Sequence, residues 1–208
     1  MTKADETRAR ILAAAERVFS EKGPAGARVD EIAAQAQINK RMLYAYFGNK
    51  EALYEAVLAR VYERLGACEE FLTADSGAIG VVDSIRQIVP AYFRFLSENR
   101  SYIRMVMWEN LNGARSFDEK GLKDVRDPVR RALREILRRG IAEGIFRPDA
   151  DEKQLVLSLF ALTFNYFSNI HTMSRVMKED LSAPKAISLR AEAVTRMILS
   201  DLMEKNHG

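Results

Sequence analysis

Apolar positions recur at intervals of three and four along almost the whole chain, and the alternation that marks a strand is nearly absent. Ile11, Leu12, Ala15, Val18 and Phe19 line one face of a helix over Asp5–Glu21, and the run KGPAG that follows stops it. Val29, Ile32, Ala33 and Ala36 define a short second helix. After a three-residue break, Lys40–Phe47 defines another, with Asn39 placed to cap it and Gly48-Asn49 to end it. Longer helices come next. One starts near Lys50 and runs towards Phe71, with a loop around Ser76-Gly77 after it. Another passes through Val82, Ile85, Val89, Tyr92, Phe93 and Leu96, and Pro90 inside it predicts a kink. Ser101–Leu111 and about Leu122–Glu143 follow. Asp149 or Asp151 opens a long uncharged helix to about Met177, and the last helix runs from Pro184 to about Lys205. The pattern predicts an all-α fold of about nine helices.

Two helices this short, three residues apart, bury little and are not stable alone. A helix–turn–helix uses such a pair deliberately, laying the second helix in a DNA major groove. In Lys40–Phe47 the inward positions are Leu43 and Phe47, which leaves Lys40, Arg41, Tyr44 and Ala45 on outer faces. Lysine and arginine reach guanine acceptors or phosphates, tyrosine hydroxyls and helix-start N–H groups suit phosphate oxygens, and a small alanine permits close approach to base edges.

Charge supports that reading. The first 50 residues hold nine Lys/Arg against six Asp/Glu, so the whole net charge of +3 sits there, and the other residues balance. Composition otherwise excludes more than it suggests. The 208 residues are 48% hydrophobic and 29% charged, enough for a real core in one large or two small domains. The single Cys68 allows no intramolecular disulfide and no cysteine-built metal site, and of two histidines one is His207, near the end. No metal and no cofactor is expected. There is no glycine-rich phosphate loop, no His-Glu-x-x-His and no Gly-x-Ser-x-Gly, so no catalytic residue is assigned. The longest uncharged run, Gln154–Ser174, has 21 residues, of which 12 are apolar. Asn165, Asn169 and His171 within it favour a buried protein helix over a membrane span. The polar start of the chain lacks the apolar stretch of a signal peptide, and a cytoplasmic protein with no membrane partner is expected.

The stretch ARVDEIAAQAQINKRMLYAYFGNKEALYEAVL, Ala27–Leu58, closely resembles the DNA-binding signature of the TetR family of bacterial transcriptional regulators. The likeness includes Ile32-Ala33, the run Leu43-Tyr44-x-Tyr46-Phe47, and Lys50-Glu51-Ala52-Leu53, with Ile11, Ala14, Phe19 and Gly23 ahead of them. The segment GIFRPDAD before the penultimate helix also looks familial. The resemblance implies a three-helix helix–turn–helix DNA-binding domain at 1–50 and a larger helical ligand-binding and dimerisation domain at 51–208. It implies base-facing roles for Lys40, Arg41, Met42 and Ala45, and phosphate contacts for Arg28, Tyr44, Tyr46 and Lys50. The sequence departs from the family at Arg28, where a capping Thr or Ser is usual, at Gln37, where Gly is usual in the turn, and at Arg41, where a small residue is common. The first departure loses a helix cap, the second puts a side chain where φ is positive, and the third adds a long base reader.

The resemblance further implies a homodimer through the last two long helices, bound to a near-palindromic operator in double-stranded DNA and released by an unidentified small-molecule effector. Repression is the family's usual mode. The nearly all-round apolar penultimate helix, with Leu155, Val156, Leu159, Phe160, Leu162, Phe164 and Phe167, and the stripe Ile187, Ala191, Val194, Ile198, Leu202 fit a bundled interface. Candidate ligand-lining residues are Tyr92, Met105, Trp108, Asn165, Asn169 and His171, large or polar groups on otherwise apolar faces. Each has a plainer alternative: packing for Tyr92, Met105 and Trp108, dimer register for Asn165, a helix end for His171. The arginines 130, 131, 134, 138 and 139 read as a solvated face partnered by Glu135 and Glu143, with an acidic ligand as the alternative. A helical enzyme and an interaction module without DNA binding are the competing classes.

Overall fold

The computed structural model describes residues 2–73, 79–117 and 128–203, with side chains 66–73, 117, 128 and 129 outside that description. The predicted loop at Ser76-Gly77, the start of the helix near Leu122, the end of the last helix near Lys205, the Cys68 side chain and His207 all lie outside the described residues. Among the described residues there are ten α-helices and no strand. They are α1 (Lys3–Gly26), α2 (Val29–Gln35), α3 (Lys40–Phe47), α4 (Lys50–Thr73), α5 (Val81–Glu98), α6 (Arg100–Leu111), α7 (Pro128–Ala142), α8 (Glu152–Ser168), α9 (Ile170–Met177) and α10 (Pro184–Met203), with a 3-10 turn at Arg115–Phe117.

The count exceeds the expected nine because the long uncharged helix is two. Asn169 leaves the helical region at φ −107°, ψ 10°, and its amide donates to the Asn165 carbonyl and the Ser168 hydroxyl. Short polar side chains of this kind compete with the backbone for its own hydrogen bonds, which apolar periodicity does not reveal. None of the helices among the described residues is long and apolar enough to cross a membrane. At the other end of the chain KGPAG does break α1, but as a kink: Gly23 sits at φ 71°, and one more turn runs through Pro24 to Gly26. Asn39 and Asp151 cap α3 and α8 as expected, accepting from Met42 N at 2.8 Å and Gln154 N at 2.9 Å. The helix α5 continues through Pro90.

The described chain forms two compact units. The first comprises residues 1–64 and 100–125, the second 65–99 and 126–208. In the first, Ile11, Ala14, Ala15, Val18 and Phe19 of α1 are buried, as are Ile32 and Ala33 of α2, Leu43 of α3, Leu53, Tyr54, Val57 and Leu58 of α4, and Tyr102, Ile103 and Met105 of α6. The packing boundary between the units falls within α4, and α6 packs on α1 in the first unit. Two carboxylates tie the helices together. Glu16 takes a two-pronged bond from Arg64 and a third from Ser101. Glu109, 3% exposed, accepts from the Tyr54 hydroxyl at 2.7 Å and from the Ser116 hydroxyl and amide. The Trp108 indole donates to the Ser20 carbonyl at 3.2 Å and covers Gly23, where an added Cβ would lie 2.8 Å from the ring.

In the second unit, α5 packs on α7, α8 and α10. Val89, Phe93 and Leu96 of α5, Leu133, Ile136 and Leu137 of α7, Leu155, Leu159 and Phe167 of α8, and Val194, Ile198 and Leu202 of α10 are buried where these helices pack. Phe93 lies 6.0 Å from the Tyr166 ring and 5.7 Å from Phe167. The GIFRPDAD segment docks on the end of α10: Arg147 N donates to Leu202 O at 2.8 Å and its guanidinium bonds Asp201. Glu152 receives both Arg134 and Arg130, which hold its carboxyl at about 2, far below the ordinary carboxylate value.

Candidate nucleic-acid interface

The geometry of α3 follows from its ends and its two inward residues. Asn39 stops the preceding turn and caps the helix, while Leu43 and Phe47 are buried beneath it. At the far end Gly48 takes φ 76° and returns its N–H to Tyr44 O. Lys40, Arg41, Met42, Tyr44 and Ala45 are thereby left exposed together on the outer surface of one eight-residue helix. Met42 and Tyr44 keep 41% and 38% of their surface exposed. Tyr46 is half-buried, its ring 6.5 Å from Phe47.

The remaining candidates surround this helix. Arg28 is exposed at the N-cap of α2 and makes no side-chain cap, so the first turn of that helix keeps its orphan N–H groups. Gln37, in the turn between α2 and α3, has φ 54°, the left-handed conformation for which glycine is suited. Lys50, half-buried at the first turn of α4, brings its ammonium to 3.5 Å from the Ala25 carbonyl. Arg28 and Arg41 form no ion pair among the described residues, so their charge is available.

Three groups near the face were not apparent from the sequence. Asp30 on α2 holds the Lys40 ammonium at 3.1 Å, and this hydrogen bond raises the lysine above its ordinary value. Glu31 beside it holds Lys22 at 2.7 Å. Arg8 lays its guanidinium 4.7 Å from the centre of the Phe47 ring, a cation–π contact between α1 and the end of α3. These pairs join residues ten, nine and 39 positions apart, spacings that no helical or strand period encodes.

The ligand-lining candidates are divided between the two units. Met105 and Trp108 belong to the first, Met105 fully buried and Trp108 bonded to Ser20. Of the four in the second, Tyr92 is buried with its ring parallel to Phe95, while Asn165, Asn169 and His171 are exposed. Arginines 130, 134, 138 and 139 have the carboxylates Glu152, Glu135 and Glu143 as partners, and Arg131 is exposed.

Two short helices, the second capped by Asn39 and presenting cationic and aromatic side chains over a buried base, define a helix–turn–helix DNA-binding protein. The profile described as "Bacterial regulatory proteins, tetR family" matches residues 11–57, and "Tetracyclin repressor-like, C-terminal domain" matches residues 82–198. The chain is 32% identical over 185 residues to the HTH-type transcriptional repressor NicS of Pseudomonas putida, covering 88% of this chain and 86% of that protein. It is 34% identical over 104 residues to the HTH-type transcriptional activator FasR of Mycolicibacterium smegmatis, covering 49% of this chain and 46% of that one. Among solved structures, the TetR family regulator PfmR of Thermus thermophilus superposes with a TM-score of 0.72 at 25% identity, over 95% of this chain and 98% of that one. FadR of Bacillus subtilis, solved with stearoyl-CoA, shares the fold at a TM-score of 0.69 and 18% identity, over 94% and 99%. The chain belongs to the TetR family of bacterial transcriptional regulators, proteins that regulate transcription rather than catalyse reactions.

Proposed function

We propose that this regulator is a homodimeric repressor that reads a near-palindromic operator and leaves it when a small molecule binds in the region 51–208. DNA reading belongs to residues 1–50, where Lys40, Arg41, Met42 and Ala45 face base edges and Arg28, Tyr44, Tyr46 and Lys50 take phosphates. The observation that carries the dimer is the apolar surface of the second unit. Leu157 on α8 is 61% exposed, and Phe160 beside it stacks on Phe164 at 4.8 Å without being covered. On α10, Leu189 and Met197 are more than half exposed. Apolar side chains of this size, repeated on two helices, fit an interface with a second copy. Two recognition helices about 34–36 Å apart would then meet successive major grooves. The 32% identity to a repressor supports repression, and the stearoyl-CoA complex of FadR supports an effector in this fold without identifying the one bound here. The cytoplasm is the compartment that gives such a protein its DNA.

The effector acts by binding one conformation better than the other, and weakens operator affinity by no more than that difference. A Phe160→Glu, Leu189→Glu variant tests the dimer. Sedimentation of the wild type should give a dimer and of the variant a monomer whose operator affinity falls at least about tenfold, since two linked half-sites bind more tightly than one. A wild-type monomer in sedimentation, or a variant that stays dimeric, contradicts the assignment.

A further inference from the structure

The ion pair between Asp30 and Lys40 joins the two halves of the helix–turn–helix on its exposed side. Lys40 is the first residue of α3, and Asp30 lies in the first turn of α2. The ammonium sits 3.1 Å from one carboxylate oxygen and 3.2 Å from the other, with both side chains largely in solvent. No helical spacing forces the contact, because the residues are on different helices. A lysine is a flexible point charge with many rotamers, so a fixed counter-charge narrows the directions in which it points.

We propose that Asp30 is a specificity-positioning residue: its carboxylate aims Lys40 along the start of the recognition helix and withholds that charge from phosphates in non-specific complexes. The proposal rests on the reading of Lys40 as a DNA contact. On random DNA, the partners on offer are phosphates, and a lysine already paired with Asp30 gains less from a phosphate than an unpaired one does. On the operator, Lys40 donates to a base-edge acceptor from the rotamer that Asp30 already favours. The raised pKa of Lys40 accords with a carboxylate that stabilises its charged form. Arg41, the next residue, has no such restraint among the described residues, so the helix start pairs one restrained cation with one free cation.

The test is a double-mutant cycle of Asp30→Asn and Lys40→Met, with fluorescence anisotropy on two duplexes at several salt concentrations. One duplex is the tightest binder selected by the wild type from random DNA, and the other is its scrambled sequence. Asp30→Asn should tighten binding to the scrambled duplex about threefold to fivefold near 0.1 M salt and steepen its log–log salt slope by about 0.9, one additional phosphate contact. Binding to the selected duplex should not tighten, so the ratio between the duplexes falls. In the Lys40→Met background the same change should have no effect. No change on the scrambled duplex overturns the proposal. So does a tightening that persists in the Lys40→Met background, which would make Asp30 a bare repulsive charge. If Lys40→Met alone leaves both affinities unchanged, the fault lies in the reading of Lys40 as a DNA contact. Thermal melts of all four proteins separate these effects from unfolding, since losing Asp30 also removes an acidic residue from the start of α2.

Discussion

Glu16 and Glu109 lie buried in the first unit, each bonded to side chains from other parts of the chain. In the second unit the buried polar side chains described are Ser84, Thr163 and Thr195, and each returns its hydroxyl to a carbonyl four residues back. Directional bonds between helices fix one geometry, because any shift leaves a charged group buried without partners. Hydroxyls satisfied within their own helix place no such condition on the neighbours, and apolar packing tolerates rearrangement more readily. The first unit thus ties its helices with directional bonds at Glu16 and Glu109, and the second leaves Leu157, Phe160, Leu189 and Met197 exposed. For the proposed ligand-responsive repressor, that division would keep the part that reads sequence in one shape while the part that senses changes.

Glu109 carries the largest expected effect. Replacing it with Ala strands the Tyr54 hydroxyl and opens a cavity, and should cost about 3 kcal/mol in urea unfolding. Thr195→Val in the second unit should cost under about 1 kcal/mol, because it removes one local bond and nearly preserves volume. Equal losses would show that the two units do not differ in this way. Next in size is Gly23→Ala. It combines a positive φ with a clash against the Trp108 ring and should cost about 2–3 kcal/mol, with a shift in tryptophan emission as the indole moves.

A pH titration sharpens the same contrast. Burial, and then the hydrogen bond to Glu109, raise Tyr54 well above its ordinary value of 10.0. Its protonated form is therefore favoured in the folded chain, and the contribution is complete below pH 10. Above that the unfolded chain loses a proton that the folded chain keeps, so stability falls as pH rises. The wild type should lose stability more steeply above pH 10 than Tyr54→Phe, and parallel curves would contradict the assignment. The smallest effect is a gain. Gln37→Gly relieves the left-handed residue in the turn and should raise stability by up to about 1 kcal/mol, less the extra freedom of glycine in the unfolded chain.

Much of the local geometry of α2, α3 and the turn between them was legible in the sequence because its signals are local. The Asn39 cap, the inward Leu43 and Phe47, the uncapped Arg28 and the strained Gln37 each depend on a few neighbouring residues. Hydrophobic period gave the helices for the same reason, and failed at Asn169, where side-chain hydrogen bonding rather than apolar spacing ends α8. The affiliation of α6 with α1, the Glu109 bonds and the Asp30–Lys40 pair are products of tertiary approach and leave no periodic trace. The ligand-lining candidates were chosen for side-chain type alone, which does not tell a buried Tyr92 from an exposed Asn165.

The exposed surface of α3 and the start of α4 is the proposed DNA-reading surface. Anisotropy of the wild type and of an Arg41→Ala, Lys50→Ala variant on the selected duplex, with excess scrambled competitor, tests it most directly. The account predicts salt-sensitive, competitor-resistant binding by the wild type and a loss of at least about 30-fold in the variant, with its oligomeric state and melting unchanged. Undiminished binding by the variant would place the DNA-reading surface elsewhere on the molecule.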